Sequence, residues 1–121
     1  MMSTPAQGAQ RIAHVFQRHG IHIGIAAPLM QIHEIAMAIN LAGGHDVHVS
    51  YERNRAAPGG HALVIGTKAE AAEWTDGSGL RDLIYLPNRH ADDAQRHACI
   101  QRLGDIAAAL HQLLEDAAPC A

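Results

Sequence analysis

Aromatic side chains are scarce in this sequence: Phe, Trp and Tyr together account for 3% of its 121 residues. Modules that bind single-stranded RNA stack bases on aromatic rings of their central strands, so this scarcity argues against that class. A basic excess is also lacking, because nine Lys and Arg stand against twelve Asp and Glu, giving a formal net charge of −3 with neutral histidine. Nucleic-acid binders need positive charge to hold phosphates. We therefore expect no nucleic-acid partner.

Cysteine is rare, and a secretion signal and a long apolar run are missing. The two cysteines, Cys99 and Cys120, form no C-x-x-C pair, and such a chain is expected to be reduced. The first residues show no basic segment followed by an apolar run, which a signal peptide requires. No uninterrupted apolar segment approaches the roughly 20 residues that cross a bilayer. These features predict a soluble cytoplasmic protein without a membrane partner.

The residues that are abundant indicate one small globular domain. Hydrophobic residues make up 48% of the chain and charged residues 17%, which is not the composition of a disordered protein. The chain is also histidine-rich, with ten copies. We expect a single α+β domain over residues 1–121, in which residues 1–4 and 118–121 are frayed.

Hydrophobic periodicity divides the chain into eight elements. They are helix 4–19, strand 21–26, helix 28–42, strand 45–52, strand 61–66, helix 67–74, strand 82–87 and helix 89–116. The central six follow the β-α-β-β-α-β order of a ferredoxin-like fold with a four-stranded sheet, to which an N-terminal helix and a long C-terminal helix are added. The alternative is a mixed open α/β sheet with helices on both faces.

Short local signals support several of these elements. Residues 21–26, IHIGIA, place isoleucine at every second position, which predicts a strand. Thr67 and Glu70 have the spacing of a capping box, which predicts that a helix begins there. Eight residues link strands 45–52 and 61–66. Because that is too few for a parallel crossover, the two strands should form an antiparallel hairpin.

Helix 28–42 contains a near match to a zinc-protease motif. His33 and Glu34 are followed by Met37, where H-E-x-x-H requires a second histidine. Thioether sulfur is a poor ligand for zinc. Because the helix is apolar around most of its circumference, we expect it to be largely buried, with His33 and Glu34 on its polar edge.

An anion site is predicted where the strand at 61–66 ends. Gly66, Thr67 and Lys68 would lie at the start of the helix that follows. Free backbone N–H groups at a helix N-terminus, together with an ammonium group, are suited to a phosphate or carboxylate. The spacing is not that of a P-loop. An ordinary capped helix has the same pattern, so that alternative stays open.

A metal site is predicted at the start of the last helix. On a helix, His90, Asp93 and His97 fall within one narrow sector, and imidazole and carboxylate groups are ligands for zinc or nickel. A further ligand would have to come from elsewhere in the chain. The competing interpretation is a solvated helix face without a cofactor, because aspartates in a first turn interact favourably with the helix dipole.

No catalytic motif is evident. The sequence contains no G-x-S-x-G, and Asp46, His48 and Ser50 share one strand face without the geometry of a triad. The leading interpretation is a non-catalytic domain that acts through protein contacts, including self-association, in which the apolar stripe of the last helix covers either its own sheet or a partner. The alternative is a sensor that binds a small ligand or a divalent metal.

Overall fold

The computed structural model describes residues 5–53, 60–73 and 81–117 as one α+β unit. Its elements in chain order are α1 (Pro5–Arg18), α2 (Ile23–Ala42), β1 (His45–Arg53), β2 (His61–Ala69), β3 (Arg81–Tyr85) and α3 (Asp93–Ala117). Within the described residues the sheet has three strands in the order β1-β2-β3. The expected fraying concerned residues 1–4 and 118–121, which lie outside the described ranges.

The ferredoxin-like prediction is wrong first at residues 21–26, which form no strand. Ile23 begins α2, and this helix continues through Pro28 to Ala42. Proline removes one intrahelical hydrogen bond, but the buried residues of α2 recur every three or four positions along its whole length. Six alternating residues are too short a pattern to distinguish a strand from the start of such a helix. Burial along all of α2 therefore prevails over the local alternation.

The predicted helix at 67–74 is also wrong. Thr67 lies within β2, where it pairs with Val47 of β1, and the pairing continues to Ala69 opposite His45. The capping-box spacing at Thr67 favours a helix. However, β1 is nine residues long, so it offers a pairing partner to every residue of β2 up to Ala69. Pairing with β1 supplies the backbone hydrogen bonds that a helix would otherwise provide. A turn over residues 70–72 follows β2 instead.

The alternative of a mixed sheet with helices on both faces is also wrong. β1 pairs with β2, and β2 pairs with β3, in the antiparallel sense. The predicted hairpin between the first two of these strands is confirmed, and residues 54–59 between them lie outside the described ranges. Leu83 and Tyr85, on the face away from the helices, are exposed. Within the described residues the fold is thus a two-layer α+β arrangement.

The core lies between the inner face of the sheet and the two long helices. Its largest fully buried side chains are Ile25, Ile32, Ile39, Leu63, Ile65, Leu103 and Leu110. The apolar stripe of α3 is thus internal, because α3 packs on α2. Of the two positions expected for this stripe, on its own domain or against a partner, the described residues show it inside the domain.

One polar side chain joins α2 to the edge of the sheet. The Asn40 side-chain N–H donates to the Val47 carbonyl oxygen at 2.9 Å, and its Oδ1 accepts from the Val47 N–H at 2.8 Å. The amide group therefore satisfies two backbone groups of the edge strand β1, as a neighbouring strand would. α2 then ends at Gly43, whose φ of 85° is readily available only to glycine.

Candidate functional site

The residues of the predicted anion site do not lie at a helix N-terminus. Gly66, Thr67 and Lys68 are internal residues of β2, and the side chain of Thr67 is buried. The Lys68 Nζ lies 2.7 Å from an oxygen of Asp46 on the neighbouring strand, so its charge is paired within the sheet. No helix begins within the described residues 66–73, and anion binding at Gly66, Thr67 and Lys68 remains a prediction without that support.

The residues of the predicted metal site do not share a helix face. α3 begins at Asp93, so His90 precedes it, and the His90 Nε2 accepts from the side chain of Arg89 at 3.1 Å. His97 and Asp93 are exposed on the first turns of α3. Within the described residues, no group of three or more His, Cys, Asp or Glu side chains is arranged to hold a metal ion. Zinc or nickel binding remains a prediction without a converging set of ligands.

A capping box explains why α3 starts late. The Gln95 N–H donates to the Asp92 Oδ1 at 2.8 Å, and the Asp92 N–H donates to the Gln95 side-chain oxygen at 2.9 Å. This reciprocal pair satisfies two backbone donors at the helix start. The carboxylate of Asp92 therefore caps the start of α3.

The remaining polar candidates do not assemble into a nucleophilic site. Asp46 is paired with Lys68, and the Ser50 hydroxyl donates to Glu52 at 3.4 Å. Cys99 is buried, and burial raises the pKa of its thiol because the charged form loses solvation. A thiol with a raised pKa is a weak nucleophile near neutral pH.

The most unusual surface of the described molecule is one face of α2, which we call the α2 stripe. It consists of Ile23, Met30, Met37 and Leu41, whose side chains are 81%, 52%, 66% and 80% exposed. At about 100° per residue these four positions fall within a sector of about 40°. Large apolar side chains clustered in one exposed sector are typical of interaction surfaces. The expectation that this helix is largely buried is therefore wrong for the α2 stripe.

α2 is apolar on the stripe and also on the opposite, buried face. Helices that are apolar all round are usually covered on all sides. Among the described residues, α2 is the one helix whose length and hydropathy satisfy the criteria for a membrane span. Core helices of soluble proteins satisfy the same criteria, so this property alone does not distinguish a membrane from a protein contact.

A cavity of about 630 Å³ lies between the end of α1, the middle of α2 and the hairpin end of the sheet. Its apolar lining includes Phe16 of α1, Leu29 of α2 and Leu63 of β2. Its polar lining includes Tyr51 and Arg53 of β1, together with His19, His33 and His61. This volume is typical of sites for small organic ligands.

Hydrogen bonds determine the orientation and tautomer of His61 at this cavity. The ring Nε2 lies 3.1 Å from the Pro87 carbonyl oxygen, which can only accept, so Nε2 carries the hydrogen. In the neutral ring Nδ1 is then an acceptor, and the Tyr51 hydroxyl donates to it at 3.1 Å. The two rings meet edge to face, with centroids 5.7 Å apart. His61 and Tyr51 thus form a fixed polar wall.

Comparison with protein-family models, curated proteins and solved structures finds no match to this chain. Function must therefore be argued from the residues themselves.

Sequence reasoning missed both the α2 stripe and the cavity, although the stripe leaves a signal. Ile23, Met30 and Met37 are spaced by seven residues, which indicates a second apolar seam on a helix that already has one. The cavity depends on side chains from three separate parts of the chain. No local pattern brings these parts together.

Proposed function

We propose that this protein is a non-catalytic α+β module that self-associates through the α2 stripe. The observation that carries the proposal is the exposure of Ile23, Met30, Met37 and Leu41 in one narrow sector of α2. Burying these side chains against a second apolar surface would be favourable by about 1.5–3 kcal/mol for each one that becomes fully covered. We also propose that the protein is soluble and cytoplasmic and has no nucleic-acid partner.

A second copy of the chain is the partner we favour, because the stripe is self-complementary. In an antiparallel pair of α2 helices centred between His33 and Glu34, Met30 lies level with Met37 of the second copy. His33 and Glu34 lie on opposite flanks of the stripe, so each faces its own counterpart in the second copy at the polar edges of the interface. Two-fold pairing of this kind is the commonest symmetry among soluble oligomers.

A membrane surface fits α2 less well. Helices that lie in a membrane interface carry Lys or Arg beside the apolar face, and α2 contains neither residue. Spanning a bilayer would also remove Ile25, Ile32 and Ile39 from the core, where they are almost fully buried. A protein partner would cover the stripe without needing basic residues beside it and without removing these isoleucines from the core.

Analytical ultracentrifugation tests the proposal over micromolar to submillimolar concentrations. We expect the unmodified chain to form dimers and the Met37→Glu variant to remain monomeric, because a carboxylate would have to be desolvated in the interface. Ile12→Glu is the matched control, since Ile12 is 58% exposed on α1, outside the stripe. Circular dichroism checks that each variant is folded. A monomeric unmodified chain, or a Met37→Glu dimer as stable as the unmodified one, contradicts the proposal.

Cysteine cross-linking tests the antiparallel arrangement. In a chain with Cys120→Ser, a Glu34→Cys substitution places a thiol close to the two-fold axis, and we expect disulfide-linked dimers on mild oxidation. An Ile23→Cys substitution places the two thiols at opposite ends of the pair, and we expect little cross-linking. Efficient cross-linking through position 23 would instead indicate parallel pairing.

A further inference from the structure

We infer that the cavity bounded by α1, α2 and the hairpin end of the sheet binds a small organic carboxylate with a hydrophobic body. Met30 of the α2 stripe also lines the cavity, but the residues substituted in the two tests are different. Carboxylate binding depends on Arg53 and His61, whereas self-association is tested by substituting Met37. The two conclusions can therefore fail separately.

The charge of the cavity lining is opposite to that of the whole chain. The chain carries a formal net charge of −3 with histidine neutral, yet the described residues that line the cavity include Arg53 and no Asp or Glu. The Arg53 guanidinium makes no ion pair with any residue in the described ranges. Arginine is the side chain best suited to bind a carboxylate through two parallel hydrogen bonds.

The remainder of the lining is suited to an apolar body. Phe16, Leu29, Leu63 and Leu86 line the cavity, and Leu63 and Leu86 are buried members of the core. Ligand sites typically combine such walls with a few placed polar groups. An inorganic anion alone would leave these walls in contact with water, so the chemistry favours a carboxylate attached to an aliphatic or aromatic group.

The polar wall formed by His61 and Tyr51 adds selectivity. The Tyr51 hydroxyl hydrogen is donated to the His61 Nδ1, and the His61 Nε2 hydrogen is donated to the Pro87 carbonyl oxygen. With both hydrogens used, the Tyr51 oxygen still has a lone pair that accepts a hydrogen bond. A ligand with an O–H or N–H on its body would bind more tightly than one without.

NMR titration of the full chain with 4-phenylbutyrate tests the inference. We expect saturable amide shifts at residues around the cavity, and far weaker binding of the neutral 4-phenylbutyramide and of acetate, which has no hydrophobic body. The Arg53→Met variant, which keeps the aliphatic stem, should lose affinity by about tenfold to a hundredfold, the range for a hydrogen bond to a charged group. Arg81→Met is the matched control, because Arg81 is exposed on the other face of the sheet.

Three results would overturn the inference. The first is equal binding of the carboxylate and the amide, which would show that charge has no role. The second is an equal loss of affinity in Arg53→Met and Arg81→Met, which would indicate attraction to net charge alone. The third is the absence of saturable shifts, or their confinement to the α2 stripe, which would indicate that the probe only covers exposed apolar surface.

Discussion

Two glycines illustrate how differently single residues of the same type contribute to this fold. Gly20 has a φ of 83°, and a Cβ at this position would overlap the backbone of Asn88. Gly104 lies within α3, and a Cβ there would meet nothing within 4 Å. Gly20 is therefore needed where the connection between α1 and α2 approaches the segment before α3. Gly104 is not needed for any close helix contact among the described residues.

The Gly104→Ala substitution should stabilise the protein by about 0.5–1 kcal/mol, because alanine loses less backbone entropy in a helix and its methyl group finds open space. Gly20→Ala is the opposite case. It should lower the free energy of unfolding by more than about 1–2 kcal/mol, because the cost of the left-handed conformation adds to the cost of the overlap with Asn88. Urea unfolding at neutral pH measures both. A destabilising Gly104→Ala would show that this face of α3 contacts another surface in solution.

At the scale of elements, α2 is the centre of the molecule. Its buried face packs on α3 and on the sheet, its C-terminal end holds β1 through Asn40, and the α2 stripe is exposed. A six-residue alternation at its start resembles a strand, and only the continuous burial of the helix reveals its actual conformation. The end of β2 shows the same effect. There, pairing with β1 prevails over the helix-start signal at Thr67.

The link between α2 and β1 can be tested by Asn40→Ala. This change removes two hydrogen bonds to the backbone of Val47, and at about 0.5–1.5 kcal/mol for each bond we expect a loss of about 1–3 kcal/mol. Asn40→Asp should also destabilise, because its carboxylate would face the Val47 carbonyl oxygen. Gln31→Ala, at an exposed position of α2, is the control and should change stability by less than about 0.5 kcal/mol. Equal effects of Asn40→Ala and Gln31→Ala in thermal unfolding would contradict this role.

At the scale of the whole molecule, the histidines control how charge varies with pH. The chain has an isoelectric point of about 6.3, and histidine gains charge in mildly acidic solution. His90, His97 and His111 are exposed on the surface. Repulsion between molecules is smallest where the net charge passes through zero, so solubility depends on these side chains.

We expect solubility to be lowest close to the isoelectric point of 6.3. Replacing His90, His97 and His111 by glutamine removes three of the ten basic imidazole groups, so the minimum should move to lower pH. Polyethylene-glycol precipitation across mildly acidic to neutral pH measures this shift. A minimum that stays in place in the triple variant would contradict the dependence of solubility on these side chains.

Composition and long periodic patterns are sufficient to predict several properties of this protein. These include an α+β class, the long helices α2 and α3, the antiparallel pairing of β1 with β2, and the absence of a basic excess. The conformation of residues 21–26 and 67–69 depends instead on tertiary contacts, because burial and strand pairing outweigh signals of a few residues. The covering of one apolar seam of α2 and not the other depends on the same contacts. Two apolar seams on one helix look equivalent in a sequence, and contact with α3 and the sheet leaves one of them exposed.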